Sequence, residues 1–96
     1  MTPYTILYWQ EIPSLVEAKD GKTTSKAQLS DRFQDLIDKA AMRRNLFGTA
    51  AYIEGFKKGP SIETEGNPEK AVRVVKERLE NNFEEIAKAA LHTPEP

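Results

Sequence analysis

Apolar side chains crowd the start of the chain. Tyr4–Trp9 (YTILYW) is almost unbroken, the pattern stops at Gln10-Glu11-Ile12-Pro13, and Leu15-Val16 resume it. A run this rich in aromatic and β-branched residues predicts a strand that sees core on both faces. Pro13 removes an amide donor and drives Ile12 towards an extended conformation, so the four residues predict a corner. Leu15–Lys19 follows as a second strand, with Pro13 at its entrance as befits an edge or a strand start. Asp20-Gly21 carries the composition of a two-residue type I′ hairpin turn, which pairs that strand with Lys22–Ala27. The returning segment, KTTSKA, is polar and charged and reads as an edge.

The period then changes from two to three and four. Ser30 is placed as an N-cap, with Asp31 in the first turn where a negative charge suits the helix dipole. Phe33, Leu36, Ile37, Ala40 and Ala41 make one apolar stripe over a helix of about Asp31–Arg44. Arg43 and Arg44 sit at its carbonyl end, and Asn45 is a left-handed stop with Leu46 folding back. Gly48 leads into an expected strand, Thr49–Phe56, and Lys57–Gly66 reads as a mobile loop. Asn67-Pro68 opens a second helix, whose stripe of Val72, Val75, Leu79, Phe83, Ile86 and Ala90 exceeds five turns. The order β-β-β-α-β-α predicts an α+β fold: a mainly antiparallel four-stranded sheet, order 3-2-1-4, with two helices on one face. Residues 1–92 are expected to form one domain. Residues 93–96 are expected to be a flexible tail, since the two prolines in HTPEP cannot continue a helix.

Composition narrows the function more than it names one. Hydrophobic residues make up 39% of 96 and charged residues 30%, as in an ordinary folded domain. Fourteen basic residues against fifteen acidic leave a net charge of −1, so no field draws the chain to nucleic acid or anionic lipid. There are no cysteines, which excludes disulfides, thiol catalysis and cysteine-ligated metals within the chain. No basic segment precedes an apolar stretch, and no apolar run nears the ~20 residues of a membrane span. A cytoplasmic protein is the expectation.

Catalytic chemistry finds few candidates. His92 is the one histidine and lies in the tail, without an orienting partner. Asp31, Asp35 and Asp38, and Glu80 with Glu84, have one-turn spacing, but interleaved lysines make them solvated helix faces. Gly55–Pro60 lacks the spacing and helix start of a phosphate cradle. Lys57-Lys58 beside Phe56 is a thin case for RNA, with Glu54, Glu63 and Glu65 close by. Ser14, Ser25, Ser30 and Ser61 have no partner base. The aromatic set offers more. Of Tyr4, Tyr8, Trp9 and Tyr52, most are expected as core or sheet-packing residues with hydroxyls at the rim. Trp9, which ends its strand at a polar corner where its indole N–H can face a partner, is the best binding candidate, since tryptophan is enriched in binding hot spots. Arg32 offers a planar fork for a carboxylate or phosphate where a helix begins, or an ion pair with Asp31, Asp35 or Glu54. The candidate binding residues are therefore Trp9, Ile12, Pro13, Arg32 and Tyr52. No catalytic residue, metal or cofactor is assigned.

Three segments, YTILYWQEIPSLVEA, LSDRFQDLIDKAAM and GTAAYIEGF, together resemble the small domain family labelled "virulence factor" in bacterial proteins. The pattern is Y-x-I-x-Y-W-x-x-I-P-x-x-V, then R-F-Q-x-x-I-D-x-x-A-M, then G-T-x-A-Y-x-E-G, over residues 4–56. Asn45 stands where glycine is more usual, and Arg43-Arg44 make this helix end unusually basic. The resemblance implies a domain found both free-standing and at the end of longer HEAT-repeat proteins. It implies no catalytic residues, and it associates free-standing members with one-carbon or corrinoid-linked methyl transfer. The expected function is a non-catalytic accessory module that docks on a larger protein. The alternative is a binder of a small anionic ligand or cofactor, or an enzyme, with a pocket near Trp9, Arg32 and Tyr52. Ala71, Val74 and Ala87 widen the stripe of the second helix, so any homo-oligomer is expected through that helix or the Trp9–Pro13 corner.

Overall fold

The computed structural model describes residues 2–91. The expected tail and His92 lie outside them. The elements run β1 (Thr2–Trp9), β2 (Ile12–Asp20), β3 (Thr23–Gln28), α1 (Asp31–Arg43), α2 (Ala50–Glu54), β4 (Phe56–Lys58), β5 (Ile62–Thr64), α3 (Pro68–Asn81) and α4 (Phe83–Leu91). The fold is α+β, and every strand pairing is antiparallel.

β1 and β2 pair from Tyr4 opposite Ala18 to Leu7 opposite Leu15, then slip to Tyr8 opposite Pro13 and Trp9 opposite Ile12. The slip leaves Ser14 as an extra residue, a bulge whose carbonyl accepts the Leu29 amide at 3.0 Å. A bulge is one of the few places where a strand tolerates proline. The second strand therefore starts at Ile12 rather than Leu15, and the expected corner shrinks to Gln10-Glu11. The next turn is also displaced by one residue. Asp20 pairs with Thr23 and Gly21 alone takes positive φ, at 67°. The Asp20 carboxylate, accepting the Thr23 amide at 3.2 Å, keeps the aspartate at the strand end rather than in the turn centre.

The sheet order is β3-β2-β1-β4, with β5 also on β1. β4 and β5 occupy one edge position. Phe56–Lys58 pair with Trp9–Leu7, the Gly59 amide donates to the Ile6 carbonyl at 2.9 Å, and Ile62–Thr64 pair with Tyr4–Thr2. The fourth strand is thus built largely from the expected loop, while most of the expected strand, Thr49–Phe56, is the short helix α2. Ala50 and Ala51 favour the helix, Thr49 caps it in an extended conformation, and the Tyr52 amide closes a turn onto the Thr49 carbonyl.

α1 ends as its sequence implies. Asn45 takes φ 57°, and the Leu46 amide reaches back to the Ala41 carbonyl at 2.8 Å, the six-to-one bond of a Schellman stop. The second helix does not run on unbroken. Asn82, at φ −96° and ψ 8°, ends α3, and its carbonyl then accepts the Ile86 amide to start α4. Tyr4, Ile6, Val16 and Ala18 of the sheet are buried with Phe33, Leu36, Ile37, Val72 and Val75 of the helices. α3 packs on β1, β2 and β3, and α1 packs on β2 and α4. α1 and α4 run in the same direction, since Arg32 reaches the Glu80 carbonyl whereas Arg43 and Arg44 reach the carbonyls of Leu91 and Ala90.

Candidate functional site

The Trp9 corner is a packed joint. Trp9 and Ile12 are 0% exposed and Pro13 is also fully buried. The expectation that Trp9 offers its N–H to a partner is overturned: Nε1 donates to the Tyr52 carbonyl at 2.6 Å. The backbone is drawn the same way, as Gln10, at φ 52°, donates its amide to the Gly55 carbonyl at 2.8 Å. Gly55 has to be small, because a Cβ there would lie 2.7 Å from Trp9 Nε1. Arg44 closes the joint from the end of α1. Its guanidinium lies 5.7 Å from the indole ring, donates to Gln10 and Glu11, and donates to the Ala90 carbonyl at 2.9 Å. The Arg44 hydrogen bond holds the Glu11 carboxyl below its usual range against an opposing push from burial.

Tyr52 is the hinge between this joint and the surface. Its ring meets Trp9 at 5.7 Å, Phe47 at 5.8 Å and Phe56 at 5.9 Å between centroids. Its hydroxyl donates to Asp38 at 3.0 Å and accepts from Gln34 at 3.3 Å. Burial raises its pKa, and the hydrogen bond to Asp38 adds to that. Outside this platform stand three large apolar side chains: Met42, Phe47 and Ile53, 64%, 57% and 72% exposed. None was among the candidates from sequence. On the expected strand, period-two alternation sets Ile53 with Ala51 on the face opposite Tyr52 and Phe56 and says nothing of its exposure. A helical period over Ala50–Glu54 also separates it from Tyr52 and points to the surface.

Arg32 lies elsewhere. It starts α1, about 18 Å along the helix from Arg44 at 1.5 Å per residue. Its partner is none of the expected acids. Nε and Nη2 donate to Glu80 Oε1 at 3.2 and 3.0 Å, Nη2 donates to the Glu80 carbonyl at 2.6 Å, and the guanidinium stacks 4.5 Å from Phe83. The Glu80 carboxylate also accepts the Ser30 amide and hydroxyl, each at 2.7 Å. An internal carboxylate thus fills the anion position at the start of α1. Burial pushes Glu80 up, but the bonds from Ser30 and Arg32 outweigh it and hold the carboxyl below its ordinary value. The structure brings Trp9 and Tyr52 together and sets Arg32 apart.

The family model described as "Virulence factor" matches residues 7–91. The chain belongs to that family. The match carries the likeness past the aromatic strand and through α3 and α4. No curated protein and no solved structure matches the chain. Among the described residues of this virulence factor domain, no cluster of three or more His, Cys, Asp or Glu is placed to hold a metal ion. Among the same residues, no helix is long and apolar enough to cross a membrane.

Proposed function

We propose that this member of the virulence factor family is a non-catalytic docking module of the bacterial cytoplasm. It attaches to a larger protein through the surface around α2. The observation that carries this is the exposure of Phe47 and Ile53, 57% and 72%, on a segment whose underside is clamped by Trp9 and Tyr52. A single exposed apolar residue needs no explanation. Here three lie within twelve positions, Met42–Ile53, and Phe47 is seated edge-on against the Tyr52 ring. Anchors held rigid before binding lose little conformational freedom on contact, which is what a hot spot requires. The implied occurrence at the end of longer HEAT-repeat chains fits a unit made for attachment. The implied association with one-carbon or corrinoid methyl transfer suggests the enzymes beside which it works.

Pull-down of the tagged protein from its own lysate tests this, with Ile53→Asp and Phe47→Ser compared with the parent. A stoichiometric partner recovered by the parent and lost by both variants, at unchanged melting temperature, is the expected result. Recovery of no partner, or of the same partner by the variants, overturns it. The alternative, an anionic ligand or cofactor near Trp9, Arg32 and Tyr52, has less support because Glu80 holds Arg32. A thermal shift with folates, corrinoids or nucleotides that vanishes in Arg32→Ala would reverse that preference.

A further inference from the structure

A second apolar face lies on the helical side of the molecule. Phe83, Ala87 and Leu91 recur every four residues along α4, all half-buried, and Leu36 of α1 extends the floor between the two helices. Two adjoining depressions of about 540 and 260 Å³ share those three α4 residues. Because α1 and α4 run in the same direction, the bordering charges sort into two rows across the helices. Asp35 and Glu84 lie towards the helix starts, and Lys39 and Lys88 one turn further on. All four are exposed, and none is ion-paired among the described residues. Arg32, which also borders the floor, is matched by Glu80 at 3.0 Å. The face therefore carries an acidic row, Asp35 and Glu84, and one turn further on a basic row, Lys39 and Lys88, with Ala87 between them and Phe83 and Leu91 at the two ends of the floor.

We propose that two copies of this chain dock through this face, related by a two-fold axis near Ala87. Such an axis reverses the helix direction between copies. Lys88 of one copy then comes within about one helical turn of Glu84 of the other, near enough for its long side chain to reach. Lys39 and Asp35 are related in the same way, and the match is made twice. Phe83 and Leu91 are equally spaced about Ala87, so the same rotation seats Phe83 of one copy against Leu91 of the other. An unrelated partner would need the inverse pattern in its own sequence, whereas a second copy supplies it by rotation alone. This surface is separate from the one around α2, so either proposal can fail while the other stands.

Sedimentation velocity on the full chain, from about 1 μM to 1 mM, tests it. The parent protein should shift from monomer to dimer across that range. Lys39→Glu with Lys88→Glu makes both rows acidic, and Asp35→Lys with Glu84→Lys makes both basic. Each double variant alone should dissociate at least about tenfold more readily, and an equimolar mixture should regain the dimer. Raising salt from about 0.05 to 0.5 M should weaken the parent dimer several-fold, a readout that no variant's folding can confuse. A parent monomeric throughout, a dimer indifferent to salt, variants that associate like the parent, or a mixture that stays monomeric would each overturn the proposal.

Discussion

Glu80 of α3 caps α1: its two carboxylate oxygens accept the amide and the hydroxyl of Ser30, fifty positions earlier in the chain, each at 2.7 Å. A helix start is ordinarily closed by its own side chain, and Ser30 makes no such bond to α1. The cap has been handed to a neighbouring helix, which ties the two together. Glu80→Ala leaves the Ser30 amide and hydroxyl without their acceptor and leaves Arg32 only the main-chain carbonyl of position 80. It should cost about 1–3 kcal/mol, or roughly 4–8 °C of melting temperature per kcal/mol in a domain of this size. Calorimetry beside Arg32→Ala, which keeps the Ser30 bonds, should show the smaller loss in the arginine variant.

The same contact should make stability depend on acid. The Glu80 and Glu11 carboxyls are both held below the usual glutamate value, Glu80 by Ser30 and Arg32 against burial and Glu11 by Arg44. A depressed carboxyl contributes its full stability above the unfolded value, about 4.3, and loses it as pH falls through the folded value. Denaturant titrations at pH 7 and pH 3 should find Glu80→Gln less stable than the parent at neutral pH, with the gap narrowing in acid. A gap that widens in acid would mean the carboxylate is not the stabilising form.

Gly55 is required by a ring and not by its backbone. Its φ of −69° is open to any residue, yet a Cβ would lie 2.7 Å from Trp9 Nε1. Gly55→Ala should therefore cost about 1–3 kcal/mol through overpacking. It should also move the emission of the single tryptophan, because the bond to Tyr52 cannot survive the displacement. Gly21→Ala is the contrast. Nothing lies within 4 Å of a Cβ there, so its cost should come from positive φ alone and leave the emission unchanged.

At Asn45 the expected change has the opposite sign. A non-glycine residue at φ 57° carries left-handed strain. Asn45→Gly should be neutral or stabilising by up to about 1 kcal/mol, and Asn45→Ala destabilising by about the same. Chemical denaturation of the two variants should place the parent between them.

Legibility in the sequence followed the length of each pattern. The extent of the aromatic strand, the helix from Asp31 and the antiparallel run of the first three strands were readable because each rests on many periodic positions or on a turn signal. The expectation of core on both faces of the first strand fails, since burial alternates along it and Thr5 and Leu7 are only half-buried. Ala50–Glu54 was not readable, since five residues satisfy a period of two or of 3.6 equally well. The break at Asn82 was hidden for the converse reason: the helical gap is one residue, and the apolar stripe continues across it with little phase error. The partnership of Arg32 with Glu80 spans forty-eight positions. No local pattern encodes it, so the nearer acids looked equally eligible. Trp9 was rightly placed at a corner, but whether a corner tryptophan faces outward depends on what folds over it. That covering is α2 with Arg44, and a strand over Thr49–Phe56 leaves no α2 to supply it.

The pairing of Thr2 with Thr64, and of the Thr2 hydroxyl with the Gly66 carbonyl, joins the two most distant parts of the sheet. The three-stranded meander is complete by Gln28, but its outer strand and its lid, α3, emerge some thirty to fifty residues later. During synthesis Tyr4, Ile6, Val16 and Ala18 therefore wait with only α1 near them until Val72 and Val75 arrive. Loop closure over such separations is what slows a small domain. Folding of this one should be timed by the delivery of its last third, and a nascent chain halted before α3 is the form most in need of a chaperone.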